Sequence, residues 1–182
     1  MIAIMCDAVG RLFQDASRWV LAPGESLFHR GDPVVSMFLL RSGRVDLVRH
    51  GATGTRMILQ RADAGSMLAE ASAWSDAYHC DAVVVDASEA AVLPRTTFRA
   101  RIAGDPRLAE ALAMSLARSV QAARLRAEIR SLPKVAERLD AWLGEGNSLP
   151  ERGRWHELAA ELSVTREALY RELSRRRRRA GR

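Results

Sequence analysis

The stretch Trp155-His156-Glu157-Leu158-Ala159-Ala160-Glu161-Leu162-Ser163-Val164-Thr165-Arg166-Glu167-Ala168-Leu169-Tyr170-Arg171-Glu172-Leu173 carries two short helical patterns with a tight joint between them. Leu158, Leu162, Val164, Leu169 and Leu173 fall where they can close one small core, and Ala159 is small where the helices would cross. Thr165 is placed to cap the second helix, its hydroxyl accepting a backbone N–H of the first turn. At ~100° per residue, Glu167, Tyr170, Arg171 and Ser174 share the face opposite Leu169 and Leu173, with Arg166 on its flank. Such a face suits the DNA major groove. Arginine there reads guanine O6 and N7, and glutamate accepts from cytosine N4, for about 1 to 3 kcal/mol of discrimination per good pair. A helical hairpin with a solvated charged face would share the amphipathicity. The order of small residue, turn, capping threonine and Arg-Glu is more specific, and the arginine run Arg175 to Arg179 follows at once. The run predicts phosphate contacts that are indifferent to sequence and strongly salt dependent. Thr165, Arg166, Glu167, Tyr170, Arg171, Ser174, Arg175 and Arg176 are the candidate DNA-contacting residues.

Charge is distributed to match. The formal net charge is +6, yet residues 1–103 hold 11 basic and 11 acidic side chains and the remainder 17 and 11, so the whole excess lies beyond residue 103. A neutral module joined to a polyanion-binding one is the expected organisation. Lys134 is the only lysine, a bias that a GC-rich genome would also produce. With 48% apolar residues the chain has ample material for a core. No apolar run approaches the ~18 to 20 residues that span a bilayer, and Met1 to Met5 is too short for a signal-peptide core, being cut off by Asp7. A cytoplasmic protein without membrane contact is expected. Cys6 and Cys80 lack metal-type or redox-type spacing.

From Trp19 to about Leu93 the chain reads as short strands between glycine turns. Ser26–Phe28, Met37–Leu40, Val45–Val48, Met57–Leu59, Val83–Val85 and Ala90–Leu93 are the strands, with turns at Arg30-Gly31-Asp32-Pro33 and Arg41-Ser42-Gly43. That spacing predicts an antiparallel jelly roll, barrel or sandwich. After Phe98 the pattern turns helical. Asp105-Pro106 is a start signal, and from there to Arg130 no Gly or Pro intervenes. Leu108, Leu112, Ser115, Ser119, Ala122, Arg126 and Ile129 step by four and three, a heptad-like seam. A helix of roughly 37 Å, at ~1.5 Å per residue, is longer than a small β domain needs, which favours a helix that joins two copies. Ser131-Leu132-Pro133 marks a break, Lys134–Leu143 a further helix with Val135, Leu139, Trp142 and Leu143 on its apolar side, and Gly144–Pro150 a loop. The expected organisation is α+β: a β-roll sensor domain over residues 1–103, a dimerisation helix over 104–131, and a helix-turn-helix domain with a basic tail over 132–182.

Thr-Arg-Glu-Ala-Leu-Tyr-Arg from Thr165 resembles the recognition helix of the Crp–Fnr family of bacterial regulators. Pro-Gly-Glu-Ser-Leu-Phe-His-Arg-Gly-Asp-Pro from Pro23 and Met-Phe-Leu-Leu-Arg-Ser-Gly-Arg-Val-Asp-Leu-Val from Met37 agree with it, in the right order. Gly65 to Glu70 (Gly-Ser-Met-Leu-Ala-Glu) resembles the start of the family's phosphate-binding cassette. The resemblance implies a cyclic-nucleotide-binding-like β roll, a dimerising helix through residues 105–130 and a winged helix-turn-helix. It makes Arg166, Glu167 and Arg171 the base readers of a palindromic operator, with half-sites about 34 Å apart. Duplex DNA, a second copy of the chain and RNA polymerase are the partners it implies.

The chain also departs from that family. Members that bind cyclic AMP carry an arginine about ten residues after the cassette glutamate, and Ala71 to Ala82 contains none. Cys80 and Asp81 fall where the arginine and its serine neighbour would lie, and neither replaces a bidentate guanidinium. The polar pair that would reach the purine appears as Ala122-Ala123. Both differences argue against cyclic AMP. Gly65, Leu68, Glu70, His79, Cys80, Ala122 and Ala123 are the candidate pocket residues, with no cofactor predicted. Tyr78-His79-Cys80 offers haem-ligand types and a thiol, although a hydrogen-bonded His79 and a core Cys80 are the favoured reading. Two cysteines cannot hold an iron–sulfur cluster. A regulator with no ligand, active as made or controlled by its expression, is a serious alternative. After Ser174 the chain runs into arginines to Arg182 where the family continues into a β wing, so a truncated or absent wing is expected. Ser163 replaces the joint's usual glycine, at mild strain if left-handed.

Two other classes remain on the sequence. A cupin-type metal enzyme shares the β-roll architecture, but His29, His50, His79 and His156 are scattered without a His-x-His pair, and no nucleophile–base set stands out, so no enzyme is expected. An adaptor that dimerises through a degenerate DNA-binding domain is opposed by Arg166, Glu167 and Arg171 and mildly favoured by the missing wing.

Overall fold

A computed structural model describes residues 9–52, 54 and 56–180; residues 1–8, which include Cys6, and residues 53, 55, 181 and 182 lie outside the described residues. The chain divides into two compact units, Met1–Ala117 and Arg118–Arg182, each with its own apolar core.

The first unit is an antiparallel β roll. Its strands are β1 (Ser17–Leu21), β2 (Ser26–Phe28), β3 (Ser36–His50), β4 (Arg56–Asp63), β5 (Met67–Leu68) and β6 (Asp81–Pro94). They join in the order β1-β6-β3-β4, with β2 on β6 and β5 on β3. Met37, Leu40, Val45, Val48, Leu68, Ala82 and Ala90 are fully enclosed. Phe28 stacks on Tyr78 with ring centroids 4.0 Å apart, and Tyr78 donates its hydroxyl to Ser36 O at 2.7 Å. Both rings are buried, and the one polar group they carry has its partner.

The antiparallel β module followed by helices is as expected, but four of the expected strands merge into two long ones, and β1 and β5 are additional. Met37–Leu40 and Val45–Val48 belong to the single strand β3, and Val83–Val85 and Ala90–Leu93 to the single strand β6. Arg41-Ser42-Gly43, expected as a turn, lies inside β3. The β3–β6 register shifts at Leu40/Ser42, Ser42/Arg44 and Arg44/Val45, so extra residues bulge out and the strand bends without ending. Gly43 adopts φ +81°, and its backbone passes directly over Ala87 and Ser88 of β6. Ser88, buried, accepts the Arg44 N–H at 3.1 Å and donates to Asp86 O at 2.6 Å, satisfying groups that the bulge frees. A glycine between apolar runs carries the same local signal in a bulge as in a hairpin.

Helix α1 (Arg95–Gly104) follows β6 directly, beginning slightly earlier than the helical pattern suggests because Phe98 is already a core residue of the roll. Helix α2 (Pro106–Ser131) starts as expected: the Asp105 carboxylate accepts the Arg107 N–H at 2.8 Å. Leu108 and Leu112 join the core of the first unit, and Ile129 that of the second. The expected seam is thus turned inward at both ends. A different stripe, Ala113, Ala117, Val120, Arg124 and Ala127, steps by four and three and is exposed throughout, with exposed Met114 beside it.

Candidate nucleic-acid interface

The second unit contains helices α3 (Val135–Gly144), α4 (Trp155–Glu161) and α5 (Arg166–Ala180), with a 3-10 turn at Arg152–Arg154 before α4. Leu139, Trp142, Trp155, Leu158, Ala159, Leu162, Leu169 and Leu173 form its core. The helix periodicity that places Leu158, Leu162, Leu169 and Leu173 together is therefore used as read. Trp142 and Trp155 complete the cluster with both indole N–H groups satisfied, on Glu161 Oε1 and Pro150 O, each at 3.0 Å.

The joint between α4 and α5 is tight. Ser163 N donates to Ala160 O at 3.2 Å and Val164 N to Ala159 O at 2.9 Å, while Ser163 itself sits at φ +52°. Arginines hold this joint from outside the motif. Arg138 on α3 donates to Leu162 O and Ser163 O at 3.0 and 2.9 Å and to Leu132 O at 2.7 Å, and Arg130 donates to Glu161 O at 3.0 Å. Together they satisfy carbonyls at the end of α4 that no helical N–H reaches. The contacts to the joint have no local signal in the sequence, because Glu161, Leu162 and Ser163 lie two dozen or more residues from the arginines that reach them. Ser163→Gly is expected to stabilise this unit by about 0.5 to 1 kcal/mol, since glycine reaches positive φ without a Cβ penalty. A chemical-denaturation midpoint followed by tryptophan fluorescence checks it.

Thr165 caps α5 as expected, its Oγ1 accepting the Ala168 N–H at 3.2 Å. The exposed Glu167 carboxylate is held below its usual range first by its own backbone N–H and then by the Thr165 hydroxyl, with Arg166 and Arg171 adding to the effect. Thr165, Arg166, Glu167, Arg171, Ser174 and Arg175 are all exposed. They form one outward face rich in donors and carrying one fixed carboxylate.

Two expected members of that face are placed otherwise. Tyr170 is half-buried, meets Trp155 edge-on at 5.1 Å between centroids, and donates to Arg152 O at 3.4 Å. It packs the hairpin against the preceding turn, which the helical wheel could not distinguish from an outward position at the edge of the arc. Arg176 is likewise turned inward. It binds Asp140 Oδ1 at 2.6 Å, Glu172 Oε1 at 2.8 Å and Ala136 O at 3.1 Å, fastening α5 to α3. Glu172 also pairs with Arg175 at 2.7 Å, and these two guanidinium groups keep its carboxyl below the usual range.

The candidate pocket lies in the first unit. A cavity of about 50 Å³ is lined by Phe28, Leu47, Gln60, Ala69, Glu70, Ala71, Ser72, His79 and Cys80. Glu70, His79 and Cys80 line it as expected; the other candidates do not. Leu68 is a core residue of β5, Gly65 is a turn residue at φ +89°, and Ala122 and Ala123 are exposed residues of the second unit. Burial raises the Glu70 carboxyl above its usual range and pushes the Cys80 thiol up to about 11. At neutral pH Cys80 is a protonated thiol, a poor nucleophile and a poor metal ligand. His79 Nδ1 lies 3.0 Å from Ser72 Oγ, and burial together with Arg49 lowers its pKa. Asp81 is not among the residues that line the cavity. It accepts the Arg30 N–H at 2.8 Å, and His50 and His29 approach it at 3.4 and 3.8 Å, so the fold gathers two histidines that the sequence scatters. Among the described residues, no group of three or more His, Cys, Asp or Glu side chains stands where it could share a metal ion. No helix among them is long and apolar enough to cross a membrane.

Residues 18–105 match the cyclic nucleotide-binding domain family. A cyclic AMP receptor protein of Thermus thermophilus is 31% identical over 155 residues, covering 82% of this chain and 72% of the relative. Among solved structures, the c-di-GMP responsive global regulator CLP of Xanthomonas campestris superposes with a TM-score of 0.77 at 18% identity, covering 96% of this chain and 92% of its own. FixK2 of Bradyrhizobium japonicum gives a TM-score of 0.76 at 17% identity, covering 91% and 86%. The likeness to the last two is one of fold. The extent and level of identity to the Thermus protein establish that this chain belongs to the Crp–Fnr family of transcription regulators.

Proposed function

We propose that this regulator binds duplex DNA through α5, as a homodimer on a palindromic operator, and that cyclic AMP is not its effector. The observation that carries the reading is the outward face of α5. Arg166, Glu167 and Arg171 are exposed on a helix capped by Thr165, in a joint braced by Arg138. A rigid helix presenting two guanidinium groups and one carboxylate matches the donor and acceptor pattern of G·C pairs in the major groove. Selection of operators from random duplex DNA at moderate salt tests it. Enrichment of a palindrome with half-sites about one helical turn apart is expected; failure to enrich any palindrome would sink the specific-regulator reading.

Dimerisation is supported by the stripe Ala113, Ala117, Val120, Arg124 and Ala127, since small side chains at this spacing let two helices approach closely. Val120 is 49% exposed, so replacing it does not disturb the unit's own core. Val120→Asp places two carboxylates against each other across such a seam and is expected to convert a dimer to a monomer in sedimentation or native mass spectrometry. An unchanged dimer mass would show that the copies meet elsewhere.

The cavity supports the second half of the proposal. Sites for drug-sized ligands occupy about 300 to 1,000 Å³, whereas this one measures about 50 Å³, room for a water or two. Its charged lining group is the acidic Glu70; no guanidinium is among the lining side chains, and the nearby Arg49 is engaged by the His79 carbonyl at 2.8 Å. Both features support a reading without cyclic AMP. Thermal unfolding with saturating cyclic AMP is expected to show no rise in Tm. A true ligand at a hundred times its Kd would stabilise by about 2.7 kcal/mol, and such a rise would overturn the exclusion.

A further inference from the structure

The run Arg175–Arg179 has one composition and two kinds of environment. Arg175 and Arg176 share the Glu172 carboxylate, and Arg176 also takes Asp140 and the Ala136 carbonyl, so two acidic groups offset the charge of this pair. The Arg177 guanidinium lies 4.8 Å over the Trp155 ring, a cation–π contact onto the hairpin's own core. Arg178 and Arg179 are exposed, and among the described residues neither has a hydrogen bond or ion pair. Their positions on α5 are equally telling. Arg178 follows Arg171 by seven residues and Ser174 by four, which places it on the outward stripe of the helix, and Arg179 follows Arg175 by four. The stripe therefore runs on for two further turns beyond the base-reading residues.

We propose that the arginine run is divided by role: Arg178 and Arg179 are phosphate contacts that extend the DNA-binding stripe of α5, while Arg176 and Arg177 hold α5 to its own unit and touch no DNA. The division rests on the DNA-binding reading above. Physically, a guanidinium already committed to a carboxylate or an indole face must break that contact to reach a phosphate, whereas an unpartnered one only displaces water and counterions.

The salt dependence of binding separates the two roles, because each phosphate neutralised contributes about −0.9 to the slope of log K against log [salt] on B-DNA. Anisotropy titrations of the full-length protein against a random-sequence duplex, over a range of salt, give that slope. The Arg178→Gln/Arg179→Gln variant is expected to be shallower by about 1.8 per protomer bound, with an unchanged melting temperature. Arg177→Gln is expected to keep the wild-type slope and to melt earlier. An unchanged slope in the double variant, or an equal loss of slope in Arg177→Gln, overturns the division. If the wild-type protein binds neither a random nor a selected duplex at any salt, the DNA-binding reading falls and this assignment with it. Binding with a misassigned slope removes the assignment alone.

Discussion

Arg171→Ala is expected to weaken operator binding by about 2 to 6 kcal/mol while leaving the protein folded. Each good bidentate contact to guanine contributes about 1 to 3 kcal/mol of discrimination, and a symmetric dimer carries the substitution in both half-sites. Arg171 is exposed on the middle turn of α5, away from Leu169 and Leu173, so truncation removes no core contact. The loss should be selective. On a random duplex the same variant forfeits only phosphate attraction, a far smaller change that vanishes at high salt. Parallel titrations of the selected operator and a random duplex measure both. Equal weakening on the two duplexes would show that Arg171 touches phosphate rather than base. Arg166→Ala serves as the comparison, since Arg166 lies on the flank of the same face.

Gly43→Ala is expected to destabilise the β roll by about 2 to 5 kcal/mol, a large fraction of the ~5 to 15 kcal/mol by which an ordinary domain is stable. At φ +81° an alanine already carries roughly 1 to 2 kcal/mol of backbone strain. Its Cβ would also stand 2.7 Å from Ser88 Cα and closer still to Ser88 Oγ and the Ala87 carbonyl oxygen. Ala87 O and Ser88 Cα are backbone atoms of the neighbouring strand and cannot rotate aside. Overpacking of this kind costs about 1 to 3 kcal/mol more. Gly65→Ala is the control: its φ is +89°, but a Cβ there meets nothing within 4 Å, so only the backbone strain is expected. Denaturation monitored by far-ultraviolet circular dichroism should rank Gly43→Ala well below Gly65→Ala. Equal midpoints for the two would mean that β6 yields to the methyl group.

Local sequence settled several features here without help from the rest of the chain. The spacing of Leu158, Leu162, Leu169 and Leu173 dictates a two-helix core because a 3.6-residue period allows only one apolar face. Thr165 and Asp105 cap their helices because a short hydroxyl or carboxylate reaches the orphan N–H groups from within its own turn. The placement of the whole net charge beyond residue 103 follows from composition alone. Tertiary structure decided the rest. Whether Gly43 turns the chain or bulges a strand depends on β6, some 45 residues away, which pairs across it. Which arginines of the run are held within the unit depends on Asp140, Glu172 and Trp155, and two of these lie outside α5. His29 and His50 meet at Asp81 only because three separate segments converge there. Periodicity reports which way a side chain faces along its own element; only packing against another element reveals what it meets.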